Sequence, residues 1–217
     1  MTDFINNFYV KNLMYIIIFV LLAIYVIDKR KNKYKDNIKK KLDLKNIDLK
    51  YLIESSCLTL GVSIILFQII SLLPIETSDN GFDINFLSMC VYFITTCLLG
   101  PILEEIVFRF GLYEYFNAKI KPFYSILITS LIFSIFHMYG IEGTIILIII
   151  SIIWNYSYYK TNNLIYPIFA HFVYNFYIIV NNLILNDVIS IIIGCLCIII
   201  YVVLKIKSSN KNVTTKN

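Results

Sequence analysis

Charged residues are scarce in this chain. Only 15% of its 217 residues carry charge, and a mean hydropathy of +0.75 is far from that of a soluble globular domain. The shortage excludes an ordinary water-soluble fold and leaves an all-α polytopic membrane bundle as the expectation. The five cysteines, Cys57, Cys90, Cys97, Cys195 and Cys197, contain no C-x-x-C pair and all fall in apolar runs. That excludes a zinc ribbon and a secreted disulfide framework, and leaves them as small packing residues. There is no internal repeat, no low-complexity tract and no second domain. The basic residues lie in short blocks between apolar runs rather than along one recognition helix, so nucleic acid is not an expected partner.

What the chain has instead is seven apolar runs, at 8–27, 57–73, 86–116, 123–139, 144–159, 164–183 and 188–204, each near the length of a membrane-spanning helix. The first lacks a basic start and a small-residue cleavage site, so it reads as a retained span rather than a signal peptide. The third is too long for one upright span and contains Gly100-Pro101, where a break is expected. Residues 28–50 hold ten basic side chains against four acids, which by the positive-inside rule makes this loop cytoplasmic. The stretch 74–85 has Glu76, Asp79 and Asp83 without Lys or Arg, as an outside loop would. Lys119, Lys121 and Lys160 then fall inside, Glu142 and Asp187 outside, so the N-terminus is expected outside and the C-terminus in the cytoplasm. The reading is one membrane domain over residues 1–207, with 208–217 a disordered tail. The Lys, Ile, Asn and Tyr bias suits an AT-rich bacterial genome, and a bacterial plasma membrane is the expected location.

Chemistry concentrates in Gly100 to Gly111, GPILEEIVFRFG. Ionisable groups in the bilayer interior are costly, so three within six positions must pair or react. Residues four apart share a helical face while neighbours diverge by about 100°. Glu105 therefore faces Arg109, and Glu104 is left on a separate stripe with Cys97, Gly100 and Gly111, small residues that permit close approach. Counted from the basic ends at about 1.5 Å per residue, Glu104 lies about 18 Å deep, His137 about 21 Å, His171 about 11 Å and Asn175 about 17 Å. Four polar groups on three helices thus share one layer, which helix tilt can close. Phe133 and His137, and His171 and Asn175, each share a face.

A carboxylate, two histidines and a carboxamide suit amide hydrolysis. Glu104 could act as general base, His137 could orient the water or shuttle its proton, and His171 with Asn175 could donate to the developing oxyanion. The same Glu104, His137 and His171 could alternatively hold a divalent metal such as zinc, although this is not a strong zinc pattern. Glu105, Arg109 and Phe133 are expected to support the site structurally. Glu105 substitutions should then act through folding and Glu104 substitutions through catalysis. Glu114 is expected to snorkel, Gln68 and Asn155 to bond between helices, and Trp154, Tyr156, Tyr158 and Tyr159 to form an interfacial belt.

E-E-x-x-x-R at Glu104, Glu105 and Arg109, F-x-x-x-H at Phe133 and His137, and H-x-x-x-N at His171 and Asn175 together resemble the CPBP family, also called the Abi or type II CAAX prenyl endopeptidase family. The resemblance covers about half the chain, with a family-like core over residues 86–183. It implies an intramembrane glutamic endopeptidase needing no cofactor, with a site open to the cytoplasm, Glu104 as base, His137 beside it and His171 with Asn175 as oxyanion donors. The implied partners are a protein or peptide substrate, membrane-associated or lipidated, and the bilayer. Two other readings stand beside it. One is a non-catalytic immunity or scaffold protein whose polar cluster only locks helices, and the other is a proton-coupled transporter, disfavoured by the lack of a repeat.

Overall fold

The computed structural model describes residues 2–72 and 86–214, with side chains over 8–72 and 86–209. The acidic stretch 74–85, expected outside, lies outside the described residues. Each of the seven apolar runs forms a helix, and the described residues contain no strand. We number them α1 (Thr2–Tyr34), α2 (Leu49–Ile70), α3 (Phe86–Asn117), α4 (Pro122–Phe136), α5 (Ile141–Thr161), α6 (Ile165–Leu183) and α7 (Asp187–Thr214).

Five of them, α1, α2, α3, α5 and α7, are long and apolar enough to cross a membrane. Helix α4 is apolar but has only 15 residues, and the 19 residues of α6 are diluted by His171, Asn175, Asn181 and Asn182. Their outer faces are apolar and exposed, as at Leu21, Ile135, Ile192 and Leu196. This is an integral membrane protein. Burial of apolar surface does little to join helices in lipid, so close packing and internal hydrogen bonds must do so. Helix α2 illustrates both. Ser55, Ser56 and Thr59 donate back to carbonyls of their own helix at 2.8–3.1 Å, and α2 lies closely along α7 through two glycines. A Cβ at Gly61 would come within 2.6 Å of Ile198, and one at Gly194 within 2.9 Å of Ile64.

The Gly-Pro break in α3 takes the form of a change of pitch rather than an interruption. Phe93–Leu99 and Ile106–Tyr113 are π-helical, on either side of the α-helical turn Gly100–Glu105. Pro101 has no N–H to continue the ladder, and the Gly100 N–H bonds five residues back, to the Thr95 carbonyl. The wider turn absorbs the missing donor.

The Lys-rich ends gather on one face. The expected basic loop is partly helical, because α1 runs on to Tyr34 and a further turn covers Ile38–Lys41. It is also fastened down. Lys41 Nζ and the Tyr158 hydroxyl donate to Glu114 Oε1 at 3.0 and 2.8 Å, and the Leu164 N–H donates to the Lys41 carbonyl at 2.7 Å. Glu114 therefore does not snorkel; it joins the first linker to α5. Likewise Tyr158 is buried and leaves the interfacial belt, while Tyr156 and Tyr159 are exposed as a belt requires. At the C-terminus α7 continues helically through 208–214, where a disordered tail was expected.

Candidate active site

The site is built from the α-helical turn of α3 outwards. Glu104 and Glu105 are consecutive and both buried, and they face different partners, as helical spacing requires. Glu105 meets Arg109 one turn on, with Nε 3.0 Å from Oε2 and Nη1 donating to Oε1 at 3.1 Å. Arg109 is wholly buried. Its other arm donates to Ser151 Oγ on α5 at 2.8 Å, and its guanidinium lies over the rings of Phe133 and Trp154, 4.7 and 5.5 Å from their centroids. A planar cation between two aromatic faces is well suited to hold three helices in one arrangement.

Glu104 faces the histidines. Its Oε2 lies 3.2 Å from His137 Nε2 and 4.0 Å from His171 Nε2. The expected layer thus closes around Glu104, His137 and His171. His137 is the C-cap of α4, where the helix ends and its ring can turn inward. Its Nδ1 lies 2.7 Å from the Phe133 carbonyl. A carbonyl can only accept, so Nδ1 carries a proton. His171 Nδ1 lies 2.9 Å from Glu105 Oε1; that carboxylate is paired with Arg109, so it too accepts and Nδ1 again donates. Both rings therefore turn Nε2 towards one oxygen of Glu104. At 3.2 Å the His137 Nε2 is close enough to Glu104 Oε2 for a proton to pass between them.

Asn175 lies one turn beyond His171 on α6, and its amide donates to the Thr96 carbonyl at 2.8 Å. That carbonyl is the one left over by the π turn, because the amide five residues on would be that of Pro101. The second amide hydrogen of Asn175 remains available for another acceptor. Phe133, fully buried, packs its ring against both histidines at 4.4 and 6.0 Å between centroids.

Three contributors are missed by sequence reasoning. Trp154, expected in an interfacial belt, is completely buried and stacks on His171 with centroids 4.1 Å apart and planes 21° apart, while its indole N–H donates to Thr59 at 3.2 Å. Only the absence of other tryptophans could have marked it. Ser151 continues the Arg109 network to Asn155, which donates to Ser130 on α4 at 2.9 Å; Asn155 is thus the interhelical bonder it was expected to be. Tyr15, in the first span, donates its hydroxyl to Glu104 Oε1.

Among the described residues no group of three or more His, Cys, Asp or Glu side chains is placed to hold a metal ion. Of the carboxylates and histidines His137 is the least buried, with 18% of its side chain exposed, and the adjoining Met138 and Tyr139 are largely exposed. This open edge lies at the end of α4 away from Lys121 and the other Lys-rich ends, whereas the resemblance implies an opening on the cytoplasmic side.

The description "Type II CAAX prenyl endopeptidase Rce1-like" matches residues 86–177. The chain is also 31% identical over 90 residues to "Putative membrane peptidase YdiL" of Bacillus subtilis (strain 168), a match covering 42% of this chain and 36% of that protein. The chain thus spans about a third of that relative's length, and no solved structure matches it. Residues 86–177, the segment that holds every glutamate and histidine of the cluster, are thus similar to the Rce1-like, type II CAAX prenyl endopeptidases, the family that the sequence motifs resemble.

Proposed function

We propose that the protein is an intramembrane endopeptidase that hydrolyses a peptide bond with a water activated by Glu104. The observation that carries this reading is the convergence of two histidine Nε2 atoms on one oxygen of a buried carboxylate. Glu104 takes one proton from water as the oxygen attacks the carbonyl carbon. His137, whose Nε2 lies 3.2 Å from Glu104 Oε2, relays it to the amine nitrogen as the C–N bond breaks, leaving a carboxylic acid and an amine. When its Nε2 carries a proton, His171 stabilises the oxyanion from that nitrogen, with the ring held in place by Glu105 at Nδ1. The free amide hydrogen of Asn175 is the second donor. The substrate is a membrane-borne protein or peptide, and a lipidated one would suit a site set within the bilayer.

The test is cleavage of a fluorogenic peptide in proteoliposomes. Wild-type protein is expected to cleave it, and to keep doing so in EDTA. Loss of cleavage in EDTA, restored by a divalent ion, would instead assign the water to a metal. A complete lack of cleavage across a panel of lipidated and unlipidated peptides would favour an immunity or scaffold role.

We further propose that the Lys-rich face is cytoplasmic. In a cysteine-free background, Met138→Cys is then expected to react with an impermeant maleimide from outside the cell, and Lys160→Cys only after the membrane is opened. The opposite pattern would reverse the orientation and turn the open edge of the site towards the cytoplasm.

A further inference from the structure

The first span lies outside the matched segment 86–177, yet it reaches the centre of the site. Helix α1 packs along α3. It does so with polar groups at three-residue spacing on one face. The Tyr9 hydroxyl meets Ser88 Oγ at 3.0 Å, the Thr95 hydroxyl donates to Asn12 Oδ1 at 3.1 Å, and Tyr15 donates to Glu104 Oε1. The third contact differs from the others because its acceptor is the proposed base. Space for it is kept by Gly100: a Cβ there would lie 3.8 Å from the Tyr15 hydroxyl, 3.5 Å from Glu104 Oε1 and 2.9 Å from the Thr95 carbonyl. The Tyr15 ring is held by Phe19, with centroids 4.7 Å apart.

From this we infer that Tyr15 is a positioning residue for Glu104: its hydroxyl engages Oε1 and so directs Oε2, the oxygen facing both histidines, at the water. A carboxylate with both oxygens free could rotate about its last side-chain torsion, which is broad and roughly two-fold. With Oε1 engaged, one oxygen is presented to the reaction. Tyr15 touches neither water nor substrate in this role. It acts through Glu104, and the inference rests on the reading of Glu104 as base.

Tyr15→Phe keeps the ring and removes only the donor. It is expected to lower kcat by about tenfold to a hundredfold, the scale of one misplaced catalytic group, with KM within twofold and the thermal midpoint in detergent unchanged. Asn12→Ala, which removes the neighbouring link on the same face, is expected to leave kcat unchanged. If the face only glues α1 to α3, both variants lower stability and leave kcat alone, and the inference fails. Infrared spectra of protein with carbon-13-labelled glutamate provide a readout that needs no substrate. The Glu104 carboxylate band, identified by its loss in Glu104→Gln, is expected to shift in Tyr15→Phe and not in Asn12→Ala. An unmoved band would overturn the inference even if the protein cleaves peptides. A shifted band in a protein that cleaves none would retain the contact and overturn the peptidase reading.

Discussion

Glu104→Gln is expected to lower peptide cleavage by at least about a thousandfold, within the range attributed to general acid–base catalysis combined with loss of an ordered water, while the protein still folds. The amide is isosteric with the carboxylate. Its oxygen can still accept from Tyr15, and its NH2 can donate to His137 Nε2, which lies 3.2 Å from the present Oε2. No buried group loses its partner, so the thermal midpoint in detergent should move little. What the amide cannot do is take a proton from water. Rate and midpoint measured on the same preparation decide the matter: unreduced cleavage would remove Glu104 as base, and a collapsed midpoint would make it a structural residue.

The second large effect falls on the neighbouring carboxylate. Glu105→Ala leaves Arg109 fully buried, with Ser151 and two aromatic faces but no counter-charge. Removing one partner of a buried ion pair typically costs about 3–5 kcal/mol, a large part of the stability of most domains. Expression and thermal midpoint are therefore expected to fall sharply. A midpoint within error of wild type would show that Arg109 finds other compensation.

Glu105→Gln separates the two jobs of this side chain. An amide can still accept from Arg109, so stability should fall less. Its bond to His171 Nδ1, 2.9 Å away, becomes one to a neutral acceptor, and the ring is oriented less firmly. Cleavage should drop by more than the stability change explains. The simple division expected from sequence, folding for Glu105 and catalysis for Glu104, is thus sharpened: Glu105 serves the site as well, through His171.

That refinement shows where sequence reasoning reaches and where it stops. The Glu105–Arg109 pair was legible because the helix itself places residues four apart on one face. The grouping of Glu104, His137 and His171 was legible because depth in a membrane follows from counting residues along spans of known rise. Asn175 was placed in the right layer, and its bond to the Thr96 carbonyl was not foreseen. It depends on a π turn that only the fold around Pro101 reveals. Trp154 was misread for a related reason. A tryptophan five residues from the end of its apolar run, near Lys160, suits an interfacial belt by depth, but depth does not tell which way a side chain points. Tyr15 gave no signal, since its partner is 89 residues away and nothing local links them.

By itself, then, the order of residues determined that the chain is an all-helical membrane protein, that its polar groups share one layer, and that Glu105 pairs with Arg109. These properties depend on hydropathy, rise per residue and helical period, all of which act locally along the chain. Only the tertiary structure decided which faces meet: that both histidines turn Nε2 to one oxygen of Glu104, that Trp154 stacks on His171, and that the first span brings Tyr15 to the other oxygen. Rotation of a helix about its own axis is set by packing against its neighbours, and that choice between faces is the one that turns a layer of polar residues into a site.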